Sequence, residues 1–126
     1  MLVVRQDQMD ALAEFQAREF EKRMLHNLGV KFPRQCAKLG EPTVREMIRE
    51  GVARSASYDI TAERDVSRFI ELMFIIRRDF DRAEETAWSR PMLEDRAFEP
   101  DARLRKVYWI ARRKGQAPGL PAGVSS

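Results

Sequence analysis

The sequence predicts an all-α domain, a compact orthogonal or irregular bundle of about four main helices with one or two short ones. Three observations carry this expectation. Apolar residues recur at spacings of three and four along most of the chain, the pattern of helices that bury one stripe. Glycines and prolines stand singly where those stretches begin and end. One segment, Phe69 to Ile76, is apolar on nearly every side, as a central helix would be. Period-two alternation is confined to Leu2-Val3-Val4, too short to decide for a strand.

With 126 residues, 44% of them hydrophobic, the chain fits one domain with a core that needs no staples. Residues 1–114 form the expected domain and 115–126, with three glycines and two prolines, a flexible tail. The single cysteine, Cys36, rules out an internal disulfide. No stretch approaches the roughly 18 apolar residues of a membrane span, and the first residues lack the pattern of a secretory signal. A cytoplasmic protein is expected.

The first helix runs from about Arg5 to Leu28. Met9, Leu12, Ala13, Ala17, Phe20, Met24 and Leu28 form its stripe, and Gly29 is expected to stop it. Phe32-Pro33 opens a short helix that Gly40 ends. Pro42 starts a third, to about Tyr58, on the line Val44, Met47, Ile48, Gly51, Val52, Ser55 and Tyr58. Gly51 lies on the buried side, where a glycine lets another helix come close. The fourth helix takes Thr61 as N-cap, with Glu63 and Asp65 favoured by the dipole of its first turns. Its core line is Val66, Phe69, Ile70, Met73 and Ile76, continued by Phe80. Ile75 falls outside that line, beside Arg68 and Glu71; bare, it would be a partner-binding edge, and covered by residues 83–98 it would be core. Pro91 limits any helix around Trp88 to a short one. The last helix spans Pro100 to Lys114, with Gly115 as its terminator.

Catalytic patterns are weak. A single histidine, His26, excludes sites of several histidines, and a Cys–His pair would need His26 to meet Cys36. The glycines are isolated, so no phosphate-binding loop occurs, and there is no nucleophile elbow. Asp79 and Asp81 flank Phe80 and are weak candidates for a cation or for acid–base work. The competing reading has Phe80 plugging the core while the aspartates cap a turn or pair with Arg77, Arg78 or Arg82. No cofactor is expected.

Charge is unevenly spread. Residues 1–100 carry 17 basic and 19 acidic residues, whereas 101–126 carry six basic residues and only Asp101. At 100° per residue, Leu104, Val107, Tyr108 and Ala111 share the core side of the last helix. Lys106, Trp109, Ile110 and Arg113 lie roughly opposite, flanked by Arg105. Tryptophan and arginine dominate protein interfaces, so this face is the candidate partner-binding surface. Phosphate contacts with base stacking on Trp109 would instead make it a nucleic-acid module. In a third reading Trp109 packs on residues 83–98.

Several segments together resemble a family of small bacterial proteins associated with gene clusters for type VI secretion and PAAR-like spike or toxin proteins. They are Val4-Arg5-Gln6-Asp7-Gln8-Met9, Phe20-Glu21-Lys22-Arg23-Met24, Phe32-Pro33, Leu39-Gly40 and Ile48-Arg49-Glu50-Gly51. Tyr58 to Val66, Leu72-Met73-Phe74 and Asp79-Phe80-Asp81 extend the likeness over about residues 3 to 95. The chain departs from the pattern at Arg77-Arg78, where a small residue or glycine is expected. The resemblance implies an accessory role beside a secreted effector: an adaptor or chaperone, or alternatively an immunity protein. The expectation is thus a non-enzymatic helical protein that binds a protein partner, with its oligomeric state open. A nucleic-acid-binding module and an enzyme using Asp79 and Asp81 are the alternatives.

Overall fold

Phe32 and Gly40 are the corners on which the first half of the chain turns. The computed structural model describes residues 6–121, with side chains from Met9 onward. Helix α1 spans Gln6–Lys31, α2 Pro33–Leu39 and α3 Glu41–Ser57, so single residues separate three successive helices. The expected stop at Gly29 is not where α1 ends. A Cβ there would meet nothing within 4 Å, and a helical glycine costs only about 1 kcal/mol against about 3 for proline. Pro33 ends α1 instead, since it lacks an N–H and its ring excludes the carbonyl four residues back. Phe32 turns inward and stacks on Phe74 at 5.2 Å. Gly40, at φ +86°, turns the chain directly into α3.

Helix α3 buries Val44, Met47, Ile48, Gly51 and Ser55, but Val52, expected on the same line, is 41% exposed, because it falls at the edge of the stripe away from α4. A Cβ on Gly51 would lie 2.4 Å from Ile70 Cγ1 and 3.1 Å from Met73 Sδ. The glycine is what lets the next helix approach, as its place on the stripe predicts. Asp59 then adopts a left-handed turn at φ +61°, and the buried Ile60 donates its N–H to Ser55 O at 2.9 Å. The expected N-cap, Thr61, is not used. That turn delivers the chain one residue later, so Ala62 takes the cap position and its carbonyl receives the Asp65 and Val66 N–H groups at 2.9 Å.

Helix α4, Glu63–Ile75, is the central element and packs against α1, α3 and α6. Beyond it Phe80 is fully buried with its ring 5.1 Å from Phe69. Its carbonyl accepts the hydroxyls of Thr86 (2.6 Å) and Ser89 (3.0 Å), which fold the short 3-10 turn Glu84–Thr86 and α5, Ser89–Glu94, back on the core. Helix α6, Pro100–Arg113, closes the bundle against α4 and α5. The fold is an all-α helical bundle; the described residues contain no strand, and none of their helices is long and apolar enough to cross a membrane. Leu2-Val3-Val4 lies outside the described residues.

At the N-terminal end one expectation is corrected. In α1 only the second half of the stripe is core: Met24 and Leu28 are buried, but Met9 and Leu12 are 53% and 57% exposed, and Ala13 and Ala17 are exposed too. The helix outruns the elements beneath it. At the other end, the described part of the expected tail is held by contacts. Gly115 at φ +70° ends α6, and Gln116 N–H donates to Ala111 O at 2.8 Å, a Schellman arrangement. Gly119 N–H then donates to Ile75 O at 2.9 Å, while Ala117 and Leu120 pack on the core. The end of α4 offers carbonyls on an apolar edge, and this strap satisfies both demands.

Candidate functional site

Arg103 decides how α6 divides into a core face and an open face. Its guanidinium is buried and donates to three backbone carbonyls, those of Phe98 (3.0 Å), Tyr58 (3.0 Å) and Leu93 (2.6 Å). Leu104, Val107 and Ala111 are buried on the same side, as the helical spacing predicts. Tyr108 is half-buried at the boundary.

On the open face Trp109 is 54% exposed. Its ring meets Tyr108 edge-on at 5.3 Å, and the Arg112 guanidinium lies 5.4 Å from its centre. Lys106 Nζ sits 4.1 Å over the ring of Phe98, itself 43% exposed. Arg105 pairs with Asp101 at 3.0 Å, Arg113 is exposed, and Ile110 is half-buried. The face is therefore two exposed aromatic rings, each with a cation over it. Such contacts are worth about 0.5–1 kcal/mol each at exposed sites. Phe98 was not legible as a member, because it precedes the helix; the signal available was its two-turn spacing from Lys106.

The remaining candidates are dispersed. Ile75, expected at an open edge, is only 6% exposed, and its carbonyl accepts the Gly119 N–H at 2.9 Å. Asp79 points outward to Arg77 Nε at 2.6 Å. Asp81 points inward and accepts from the Arg54 guanidinium and from Tyr58 Oη at 2.8 Å. Pairing of Asp79 with Arg77 was expected, but the inward partners of Asp81 were not, and the two carboxylates do not face one point. Among the described residues no group of three or more His, Cys, Asp or Glu could hold a metal ion. His26 is exposed, and burial raises the Cys36 thiol pKa, the opposite of activation as a nucleophile.

Comparison with protein-family models, with characterised proteins and with solved structures gave no match.

Proposed function

We propose that this chain is a non-enzymatic accessory protein that binds a protein partner through the open face of α6, acting as an adaptor or chaperone for a secreted effector. The observation that carries the reading is Trp109, a large aromatic side chain left more than half exposed among cations on a rigid helix. An exposed tryptophan ringed by arginine and lysine is the composition of an interface anchor. A partner suited to it offers an apolar recess for Trp109 rimmed by carboxylates for Lys106, Arg112 and Arg113. Nucleic acid fits less well, because Arg103 is withdrawn into the core and Arg105 is paired with Asp101. The effector class comes from the sequence resemblance alone, as does the alternative role of immunity protein.

The test is calorimetric titration against a candidate effector or spike protein. Trp109→Ala is expected to leave helicity and melting unchanged and to weaken binding at least about thirtyfold, the size of a hot-spot loss. Equal affinity for both proteins would sink the proposal. So would retention on DNA or RNA that falls steeply with salt in the absence of any protein partner.

A further inference from the structure

Helix α4 ends at Ile75, so the carbonyls of its last turn lack partners within the helix. Phe74 O accepts the Gln35 side-chain amide at 3.1 Å, and Ile75 O accepts the Gly119 N–H at 2.9 Å. The strap Gln116–Leu120 is thus held beside α2 and the end of α4 partly by its main chain, as a bound peptide is. One position of it admits no side chain. A Cβ on Gly119 would lie 2.0 Å from Phe74 O and 2.5 Å from Gln35 Nε2.

The strap leaves room around itself. A cleft of about 430 Å³ remains beside Pro118 and Gly119, with Leu39, Met47, Met73 and Ile76 in its lining. Its basic rim is already engaged, Arg77 with Asp79 and Glu85 and Arg78 with Glu50, so apolar contact is what it has left to offer. A second cleft of about 470 Å³ borders Pro118, Gly119 and Leu120 against Phe32 and Pro33. Ala117 and Leu120 pack on the core, whereas Pro118 between them is exposed. A segment whose sole task was to close the fold would fill such space, since protein interiors are close-packed.

We propose that this channel is a recognition site for a non-helical peptide with a glycine flanked by larger apolar residues, and that the strap occupies it as a built-in competitor. The glycine of such a peptide passes between Phe74 O and Gln35, and its N–H goes to Ile75 O. Its neighbours enter the two clefts that Pro118 and Leu120 leave part-empty. Apolar side chains bulkier than those of the strap bury more surface there. The strap is suited to yield, since it follows Gly115 at φ +70° and one main-chain bond, from Gly119, ties it to α4. Segments held by few bonds open at small cost while the helices stay folded. The site is separate from the open face of α6 and stands or falls without it.

Fluorescence anisotropy of a labelled peptide with the sequence of residues 116–121, Gln-Ala-Pro-Gly-Leu-Pro, tests this. Full-length Gly119→Ala, its own strap lifted, should bind the peptide at least about tenfold more tightly than wild type, whose strap competes at an effective concentration of about a millimolar. Alanine in place of the peptide's glycine should weaken binding at least about tenfold. Phenylalanine in place of its leucine should tighten binding about fivefold, by the added area in the cleft beside Phe32. In excess over wild type, that phenylalanine peptide should displace the strap and speed hydrogen exchange at the Gly119 amide. This displacement needs no variant, so it decides the matter should Gly119→Ala unfold the helices. Unchanged exchange at Gly119 overturns the proposal, as does equal binding of the glycine and alanine peptides. A phenylalanine peptide no tighter than the chain's own sequence also overturns it, since the strap would then fill its channel and serve only to close the fold.

Discussion

Asp81 shows how far a residue's role can lie from its sequence neighbourhood. It is 1% exposed, and its two oxygens are taken by Arg54, 27 positions away, and Tyr58, 23 positions away. Nothing local distinguishes it from Asp79 two residues earlier, which faces water. This explains why the sequence offered both as one candidate site. Removing one member of a buried ion pair leaves its partner uncompensated, so Asp81→Ala should destabilise the fold by about 3–5 kcal/mol in urea titration. Burial, and then the hydrogen bond to Asp81, push the Tyr58 phenol up from 10 to about 12. The folded chain thus keeps a proton that the unfolded chain releases, and stability falls as pH rises from about 10 towards 12. Denaturation midpoints measured across that window should decline for the wild type, and the Tyr58-dependent part of the decline should vanish in Tyr58→Phe.

At the scale of elements, two glycines in helices separate what periodicity reveals from what it does not. Gly51 sits on the buried line of α3, so its role as a close-approach point was readable; Gly29 follows the last stripe residue of α1 and so looked like a terminator. Their surroundings differ sharply. Gly51→Ala would drive a Cβ to 2.4 Å from Ile70 Cγ1, whereas at Gly29 nothing lies within 4 Å. Overpacking of about 1–3 kcal/mol at Gly51 exceeds the roughly 1 kcal/mol gained in helix propensity, so that variant should be destabilised. Gly29→Ala keeps the gain and should be stabilised by about 0.5–1 kcal/mol. Chemical denaturation of the pair checks both signs, and equal effects would contradict the packing. The same limit explains Met9 and Leu12. A stripe says which face of a helix would be buried, not how far the fold extends beneath it.

Across the whole molecule, the helices and most of the α6 face were legible because both rest on a 3.6-residue period: Lys106, Trp109 and Arg113 point outward as their spacing requires. Ile75 was misplaced because an element's own period does not say what packs on its other faces, and the strap Gln116–Leu120 that reaches its carbonyl has no periodicity. The path of that strap depends on one residue. A Cβ on Gly119 would lie 2.0 Å from Phe74 O and 2.5 Å from Gln35 Nε2, and a helix carbonyl cannot move aside. Gly119→Ala should therefore lift the strap while leaving the helices intact. Ile75 O would lose its donor, and Trp88 Nε1 would lose its 2.7 Å bond to Gln116 Oε1. On a Trp109→Phe background, so that Trp88 alone fluoresces, the variant is expected to shift tryptophan emission to the red. It should also abolish hydrogen-exchange protection at residue 119 and lower stability by about 1–2 kcal/mol, the scale of one lost buried bond with its packing. Unchanged emission together with a protected amide would mean that the strap tolerates a side chain there.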